Sequence, residues 1–156
     1  MAIEIERKFL LRNDSWRQSA RGRLYRQGYI MSGSGVTVRV RTVEEKGFLT
    51  IKGKSRGAAR AEYEYPIPLT DAREMLETLC TGPLIEKMRY LVEYEGFTWE
   101  IDEFAGENQG LIVAEIELSS EVQEFPRPPW LGREVTGDGR YFNASLARNP
   151  YRRWPR

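Results

Sequence analysis

The segment Ile3–Leu11, which reads IEIERKFLL, decides the fold because charged and apolar residues alternate along it. Successive side chains of a β-strand point to opposite faces, so residues two positions apart share a face. Glu4, Glu6 and Lys8 therefore lie on one face, and Ile3, Ile5 and Phe9 lie on the other. The alternation predicts a strand with one charged face and one packed face.

The same alternation recurs in six further segments, each with two charged residues of one sign two positions apart. For a single strand, the usual interpretation is the solvated face of an antiparallel sheet. Seven strands with charged faces are harder to explain in that way, because ordinary solvated faces mix threonine, serine and glutamine with single charges. The pairs are Arg39 and Arg41, Lys52 and Lys54, Glu62 and Glu64, Lys87 and Arg89, Glu100 and Asp102, and Glu115 and Glu117.

Short glycine-containing links between the alternating segments indicate antiparallel hairpins. Glu45-Lys46-Gly47, Glu95-Gly96 and residues 32–35 and 106–110 are links of this kind. Eight antiparallel strands suffice to close a barrel that holds side chains or one small ligand. The predicted strands are 3–11, 24–31, 36–43, 48–54, 60–67, 85–94, 97–104 and 111–118.

Three helices are predicted outside the barrel. The first follows the capping segment Asn13-Asp14-Ser15 and ends at Ala20. The second carries an apolar stripe at helical spacing from Leu69 to Cys80, and the third covers residues 139–148.

The direction of the charged faces decides the chemistry of the interior. If they point inward, like charges crowd a partly desolvated tunnel, where they repel one another unless a ligand of opposite sign is present. Carboxylates would hold divalent cations, and the basic side chains would hold a polyanion, so a metal ion with a polyphosphate satisfies both halves. The carboxylates are Glu4, Glu6, Glu115 and Glu117, and the basic residues are Lys8, Arg39, Arg41, Lys52, Lys54, Lys87 and Arg89. The predicted class is α+β: an eight-stranded antiparallel β-barrel (a tunnel) with a charged interior and flanking helices.

The composition argues against several other classes. The 24 basic and 23 acidic residues nearly cancel, so binding of nucleic acid or membrane through bulk charge is not expected. There is no histidine and one cysteine, Cys80, which leaves oxygen ligands to build a metal site. We expect residues 1–156 to form a single domain and, since no membrane span or signal peptide is recognisable, a cytoplasmic location. The oligomeric state does not follow from these features.

The chain also resembles the CYTH superfamily, the triphosphate tunnel metalloenzymes. Glu4-Ile5-Glu6-Arg7-Lys8-Phe9 is similar to the family's N-terminal Glu-x-Glu-x-Lys signature, and the resemblance extends over nearly the whole chain. In its extended form the signature is most similar to that of bacterial members that hydrolyse inorganic triphosphate. Further matching segments are Val38-Arg39-Val40-Arg41, Thr50-Ile51-Lys52, Glu62-Tyr63-Glu64, Glu86-Lys87-Met88-Arg89-Tyr90, Trp99-Glu100-Ile101-Asp102, Ala114-Glu115-Ile116-Glu117, Arg133-Glu134-Val135-Thr136 and Tyr141-Phe142-Asn143.

This resemblance implies an activity on triphosphates with Mg²⁺ or Mn²⁺ as cofactor. The implied metal ligands are Glu4, Glu6, Asp102, Glu115 and Glu117. The implied substrate-binding residues are Lys8, Arg39, Arg41, Lys52, Lys54, Lys87, Arg89 and Arg133, and Lys8, Arg39, Arg41, Lys52 and Lys87 are also assigned to catalysis. Glu62, Glu64 and Glu100 are interpreted as partners that orient the basic residues.

Three functions remain open at this level. The first is hydrolysis of inorganic triphosphate, and the second is a related activity, cyclisation of ATP by a class IV type of adenylate cyclase or hydrolysis of thiamine triphosphate. The third is a polyphosphate-binding module without catalysis, which the complete set of acidic residues disfavours. Nucleotide substrates require base-recognition groups at the tunnel mouth, and the sequence pattern assigns none.

Overall fold

The computed structural model describes residues 2–31 and 35–155. Nine strands, two α-helices and several short 3-10 helices make up this part of the chain. The strands are β1 (Ile3–Leu11), β2 (Arg21–Met31), β3 (Thr37–Val43), β4 (Lys46–Lys52), β5 (Ala59–Ile67), β6 (Thr81–Tyr94), β7 (Phe97–Phe104), β8 (Ile112–Glu117) and β9 (Leu131–Glu134), and the helices are α1 (Leu69–Thr78) and α2 (Asn143–Arg148).

The sheet closes into an eight-stranded antiparallel barrel. Its strand order is β5-β4-β3-β2-β6-β7-β8-β1-β9, and an additional pairing of β5 with β1 completes the ring. Strand β1 makes this closure possible because its edge opposite β8 is shared by two partners. Residues Ile3, Glu4 and Ile5 pair with β5, whereas Phe9 and Leu11 pair with β9.

The hydrophobic core lies outside the ring, where helices and loops cover the apolar faces of the strands. One cluster gathers Trp16, Trp99 and Trp130 around Phe9, whose ring meets that of Trp99 edge-on at 5.7 Å. The buried residues Ala72 and Leu76 of helix α1 pack against Val40. The C-terminal segment with α2 covers a third cluster around Ile85. Because the apolar faces are packed outside, the charged faces point inward, as predicted.

The eight predicted strands are confirmed, with small differences at their ends. The fourth ends at Lys52 rather than at residue 54, so Lys54 follows the strand. The short strand β9 was not predicted, because its four residues carry no alternation long enough to recognise. Of the predicted link 32–35, residues 32–34 lie outside the described residues.

The predicted helices need three corrections. The first is a 3-10 helix, Ser15–Ser19, whose start is stabilised by the Asn13 side chain, which accepts a hydrogen bond from the Ser15 backbone at 3.0 Å. The second ends at Thr78, because the next two backbone N–H groups both donate to the Met75 carbonyl. The third is interrupted at Phe142, where extended backbone separates a 3-10 turn from α2.

Within residues 2–31 and 35–155, no helix has the length and apolar character needed to cross a membrane.

Candidate functional site

The barrel interior contains a cavity of about 260 Å³ to which every strand of the ring contributes. Cavity-lining residues on the same strand are separated by an even number of positions, because alternate side chains of a strand point to the same face. The lining residues are Glu4, Glu6, Lys8, Tyr25, Tyr29, Thr37, Arg39, Arg41, Lys52, Arg60, Glu62, Glu64, Lys87, Arg89, Glu100, Glu115, Glu117, Phe142, Asn143 and Ala144.

Cross-strand register places opposite charges beside each other around this cavity. Lys8 on β1 lies opposite Glu115 on β8, and Lys52 on β4 lies opposite Glu62 on β5. The ammonium group of Lys52 reaches both Glu62, at 3.3 Å, and Glu4, at 3.2 Å. Much of the interior charge is therefore compensated within the protein.

Arg41 is the clearest exception to this compensation. Its side chain is buried, and its Nε donates to Gln27 Oε1 at 2.9 Å. Among the described residues, no carboxylate lies within ion-pair distance of it. Burial lowers the pKa of Arg41 to about 9, and the nearby charges of Arg39 and Arg89 add to this effect. A buried cation surrounded by cations is a binding position for an anion.

Two further cationic side chains, those of Arg39 and Lys8, line the cavity. Arg39 donates to Thr50 at 3.1 Å and to Glu64 at 3.4 Å, but its buried Nε has no hydrogen-bond partner in the described structure. Lys8 donates to the Tyr141 carbonyl oxygen at 3.2 Å. The unused donor of Arg39 marks where an additional acceptor oxygen fits.

Asp102 holds two of the interior cations in place. Its oxygens accept from Arg89 at 2.7 and 2.8 Å, and it forms an ion pair of 2.7 Å with Lys87. Burial by itself would raise the pKa of Asp102, but the charges of Arg89 and Lys87 outweigh it and lower the pKa to about 2. Asp102 is absent from the cavity lining. Asp102 therefore lies behind Lys87 and Arg89 rather than at the cavity surface.

Lys87 is the most buried cation of the site. Burial lowers its pKa to about 7, although Asp102 opposes this shift. Its ammonium group also donates to Asn143 Oδ1 at 2.8 Å, and the same oxygen accepts from Gln27 at 3.2 Å. The first residue of α2 thus connects Gln27 of β2 to Lys87 of β6.

The carboxylates of β1 and β8 form the acidic part of the site. Burial raises the pKa of Glu6 well above its ordinary value, and the neighbouring charge and hydrogen bond of Glu115 raise it further. At Glu115 burial would raise the pKa, but the charges of Lys8 and Arg89 outweigh it, and the pKa of Glu115 is lowered well below its ordinary value. Of the two groups, Glu6 therefore binds a proton more tightly than Glu115. Burial and its acidic neighbours, Glu4 and Glu100, also raise the pKa of Glu117.

These carboxylates match a hard divalent cation in chemical type. Crowded acidic oxygens are the groups that an oxygen-preferring cation neutralises. Glu4, Glu6, Glu115 and Glu117 line one cavity and provide such oxygens. In the part of the chain that the structure describes, no three acidic side chains are yet arranged around one point as metal ligands. Binding would require their side chains to converge.

Two of the predicted binding residues lie apart from this site. Lys54 and Arg133 are exposed, and neither lines the cavity. Lys54 follows the end of β4, and Arg133 lies on β9, which is outside the ring. Arg60 lines the cavity but was overlooked, although it shares a strand face with Glu62 and Glu64. No feature of the sequence indicated Asn143 as a cavity residue, apart from its place in the segment Tyr141-Phe142-Asn143, which resembles the family.

A closed barrel with inward-facing cations and carboxylates defines a tunnel protein for a small polyanion. The chain belongs to the CYTH family, since the CYTH domain matches residues 2–151.

Two relatives and a solved structure support this assignment. The chain is 55% identical over 152 residues to an inorganic triphosphatase of Acetivibrio thermocellus, with 97% of each chain covered. It is 39% identical to an inorganic triphosphatase of Nitrosomonas europaea, with 92% of this chain and 96% of the relative covered. A crystal structure of an inorganic triphosphatase superposes with a TM-score of 0.67 at 35% identity and covers 92% of this chain and 96% of that one.

Proposed function

We propose that the chain hydrolyses inorganic triphosphate to pyrophosphate and orthophosphate with the help of a divalent cation, Mg²⁺ or Mn²⁺. The observation that carries the proposal is the meeting of two groups in one cavity of about 260 Å³: buried cations, of which Arg41 has no acidic partner among the described residues, and crowded carboxylates. The relatives named inorganic triphosphatase support it independently.

The cationic residues bind the phosphate oxygens. Arg41 and Arg39 offer unused guanidinium donors, and the planar fork of arginine suits two oxygens of one phosphate. Lys8, Lys52 and Lys87 contribute compact charges from three different strands. Since these groups surround the cavity, they hold a chain of phosphates from several sides and restrict its orientation.

The carboxylates Glu4, Glu6, Glu115 and Glu117 hold the cation. When bound, it neutralises phosphate charge and polarises the terminal phosphoryl group. Glu62, Glu64 and Glu100 instead orient Lys52, Arg39 and Arg89, with which they form ion pairs. We assign Asp102 the same supporting role for Lys87 and Arg89, and we assign no binding role to Lys54 or Arg133.

The reaction needs alignment and charge stabilisation more than a covalent intermediate. The oxygen of a water molecule forms a bond to the terminal phosphorus. The bond from that phosphorus to the bridging oxygen breaks, and pyrophosphate leaves with the electron pair. The attacking water releases its proton to solvent. The cationic side chains stabilise the negative charge that spreads over the phosphoryl oxygens and the leaving group.

Product analysis tests this proposal. The purified protein is incubated with triphosphate, pyrophosphate, ATP or thiamine triphosphate, with Mg²⁺ or Mn²⁺ and with a chelator. We expect triphosphate to be turned over fastest, to yield pyrophosphate and orthophosphate, and to be stable in chelator. Cyclic AMP as the main product from ATP, with triphosphate left intact, would overturn the hydrolase assignment. Tight binding of triphosphate without turnover would identify a binding module instead.

A further inference from the structure

A second cavity adjoins the first at the end of the barrel formed by β2 and the hairpin between β3 and β4. It measures about 310 Å³. The two cavities have three lining residues in common, Tyr25, Arg41 and Glu64. The side chains of these three residues therefore form a partition between the two cavities at this end of the barrel.

Tyr25 is the aromatic member of this partition and is held by two cations. The guanidinium carbons of Arg41 and Arg89 each lie 4.9 Å from the centre of its ring. Cation–π contacts of this length attract the ring and limit its movement. Tyr25 lies on β2 opposite Lys87 of β6, so the ring borders the phosphate-binding cations directly.

More cations line the first cavity than the second. The second cavity offers Arg23 and Lys46, but it also contains Glu44 and Glu45 of the hairpin. Arg23 already forms an ion pair of 3.5 Å with Glu44. A polyphosphate that extended past Tyr25 would therefore meet the carboxylates of Glu44 and Glu45 and fewer cations than in the first cavity, and one of these cations, Arg23, is paired with Glu44.

We propose that Tyr25 sets the length of the polyphosphate that the site accepts, by closing the cationic end of the barrel interior against the second cavity. This inference rests on the proposed function and identifies a specificity-determining residue for it. With Tyr25 present, a triphosphate fills the first cavity, and the additional phosphate of a tetraphosphate has no room on the cationic side. Discrimination of this kind comes from excluding the longer ligand, and not from added contacts to the shorter one.

The test compares inorganic triphosphate and tetraphosphate as substrates of Tyr25→Ala, Tyr25→Phe and the unchanged protein. Removal of the ring joins the two cavities, so we expect Tyr25→Ala to raise the ratio of kcat/KM for tetraphosphate to that for triphosphate by about tenfold. Tyr25→Phe keeps the ring and should keep the ratio. Tyr63→Ala is the matched control, because Tyr63 is 42% exposed and lines neither cavity.

An equal loss of activity on both substrates in Tyr25→Ala would overturn the inference, since it would show that the ring only supports Arg41 and Arg89. An unchanged ratio would overturn it as well. If Tyr25→Ala fails to fold, Tyr25→Val provides the same comparison with a smaller truncation.

Calorimetric binding separates this inference from the proposed function. Dissociation constants for the two polyphosphates are measured with each variant, and they do not require turnover. If the unchanged protein hydrolyses neither compound, the proposed function fails, whereas a shift of the binding ratio toward tetraphosphate in Tyr25→Ala still supports a partition at Tyr25. A binding ratio that stays constant would exclude the partition even in an active enzyme.

Discussion

Lys87 and Asp102 form an ion pair of 2.7 Å in which each side chain keeps only 1% of its surface exposed. Two charges so far from solvent are stable only together, because removal of one leaves the other buried without compensation. Asp102 also binds Arg89 through two hydrogen bonds, so its loss would leave two cations without their main partner.

Replacement of this carboxylate should affect the fold and substrate binding together. We expect Asp102→Ala to lower the free energy of unfolding by about 3–5 kcal/mol, measured by urea denaturation. KM for triphosphate should rise, because Lys87 and Arg89 lose their positions. The concentration of Mg²⁺ that gives half-maximal activity should stay the same. A large increase in the Mg²⁺ requirement, with stability unchanged, would restore Asp102 as a metal ligand.

Replacement of Arg41 should lower activity strongly and stability only slightly. Arg41→Ala removes a buried cation that has no acidic partner, so the ligand-free protein should lose less than about 1 kcal/mol of stability. The same change removes a charge-assisted contact to phosphate and should lower kcat/KM for triphosphate by roughly one to two powers of ten. Arg133→Ala, on the exposed strand β9, serves as the control and should change neither quantity.

Arg89 offers the matching contrast to Arg41, since it pairs with Asp102, Glu100 and Glu115. Arg89→Ala should therefore lower the unfolding free energy by about 3–5 kcal/mol as well as activity. Equal stability losses in Arg41→Ala and Arg89→Ala would contradict the assignment of Arg41 as the free cation.

The raised pKa of Glu6 predicts a pH dependence of stability in the metal-free protein. The folded state binds the proton of Glu6 more tightly than the unfolded state, whose pKa has its ordinary value of 4.5. The stability that this proton contributes is complete below pH 4.5 and is lost as the pH rises through the higher pKa of the folded protein.

Glu6→Gln removes this dependence, because glutamine remains neutral at every pH. The melting temperature of the variant, measured in chelator, should therefore rise relative to that of the unchanged protein as the pH increases above 4.5. A difference in melting temperature between Glu6→Gln and the unchanged protein that stays constant from acidic to neutral pH would show that Glu6 does not hold a proton. Addition of Mg²⁺ at neutral pH should raise the melting temperature of the unchanged protein and have less effect on Glu6→Gln.

Neighbouring residues of β8 test the two faces of the barrel wall. Ile116 is 1% exposed in the outer core, between Glu115 and Glu117, which face the cavity. Ile116→Ala should lower the unfolding free energy by about 2–5 kcal/mol and leave kcat/KM nearly unchanged well below the melting temperature. Glu117→Gln should reduce activity and change stability by less than about 0.5 kcal/mol. The reverse result would place the charges outside.

The alternation of charged and apolar residues predicted most of the barrel, because a strand exposes every second side chain to the same surroundings. The pairs at Arg39 and Arg41, and at Glu115 and Glu117, indicated both their strands and the faces directed to the cavity. Strand β9 was not predictable in this way. It is paired with β1 through tertiary contact, and its four residues do not repeat the pattern.

The differences between the predicted site residues and the residues that line the cavity have the same origin. Lys54 has the correct spacing from Lys52, but β4 ends before it, and spacing does not report where a strand ends. Asp102 has the correct face and charge, yet the distance that makes it a partner of Lys87 depends on the neighbouring strand. Asn143 enters the site from a helix, where strand alternation carries no information.

The shared edge of β1 has a consequence for how the chain folds. Strand β1 pairs with β9, as the hydrogen bond of 2.8 Å between Arg7 and Glu134, 127 positions apart, illustrates. Contacts of such large sequence separation cost loop-closure entropy before they contribute stability, and they slow folding. During synthesis β1 leaves the ribosome long before β8 and β9, with which most of its length pairs. Its unpaired edges then resemble those of an aggregation-prone strand, and the charges of Glu4, Glu6 and Lys8, to which we assign ligand binding in the folded protein, protect it in the interval.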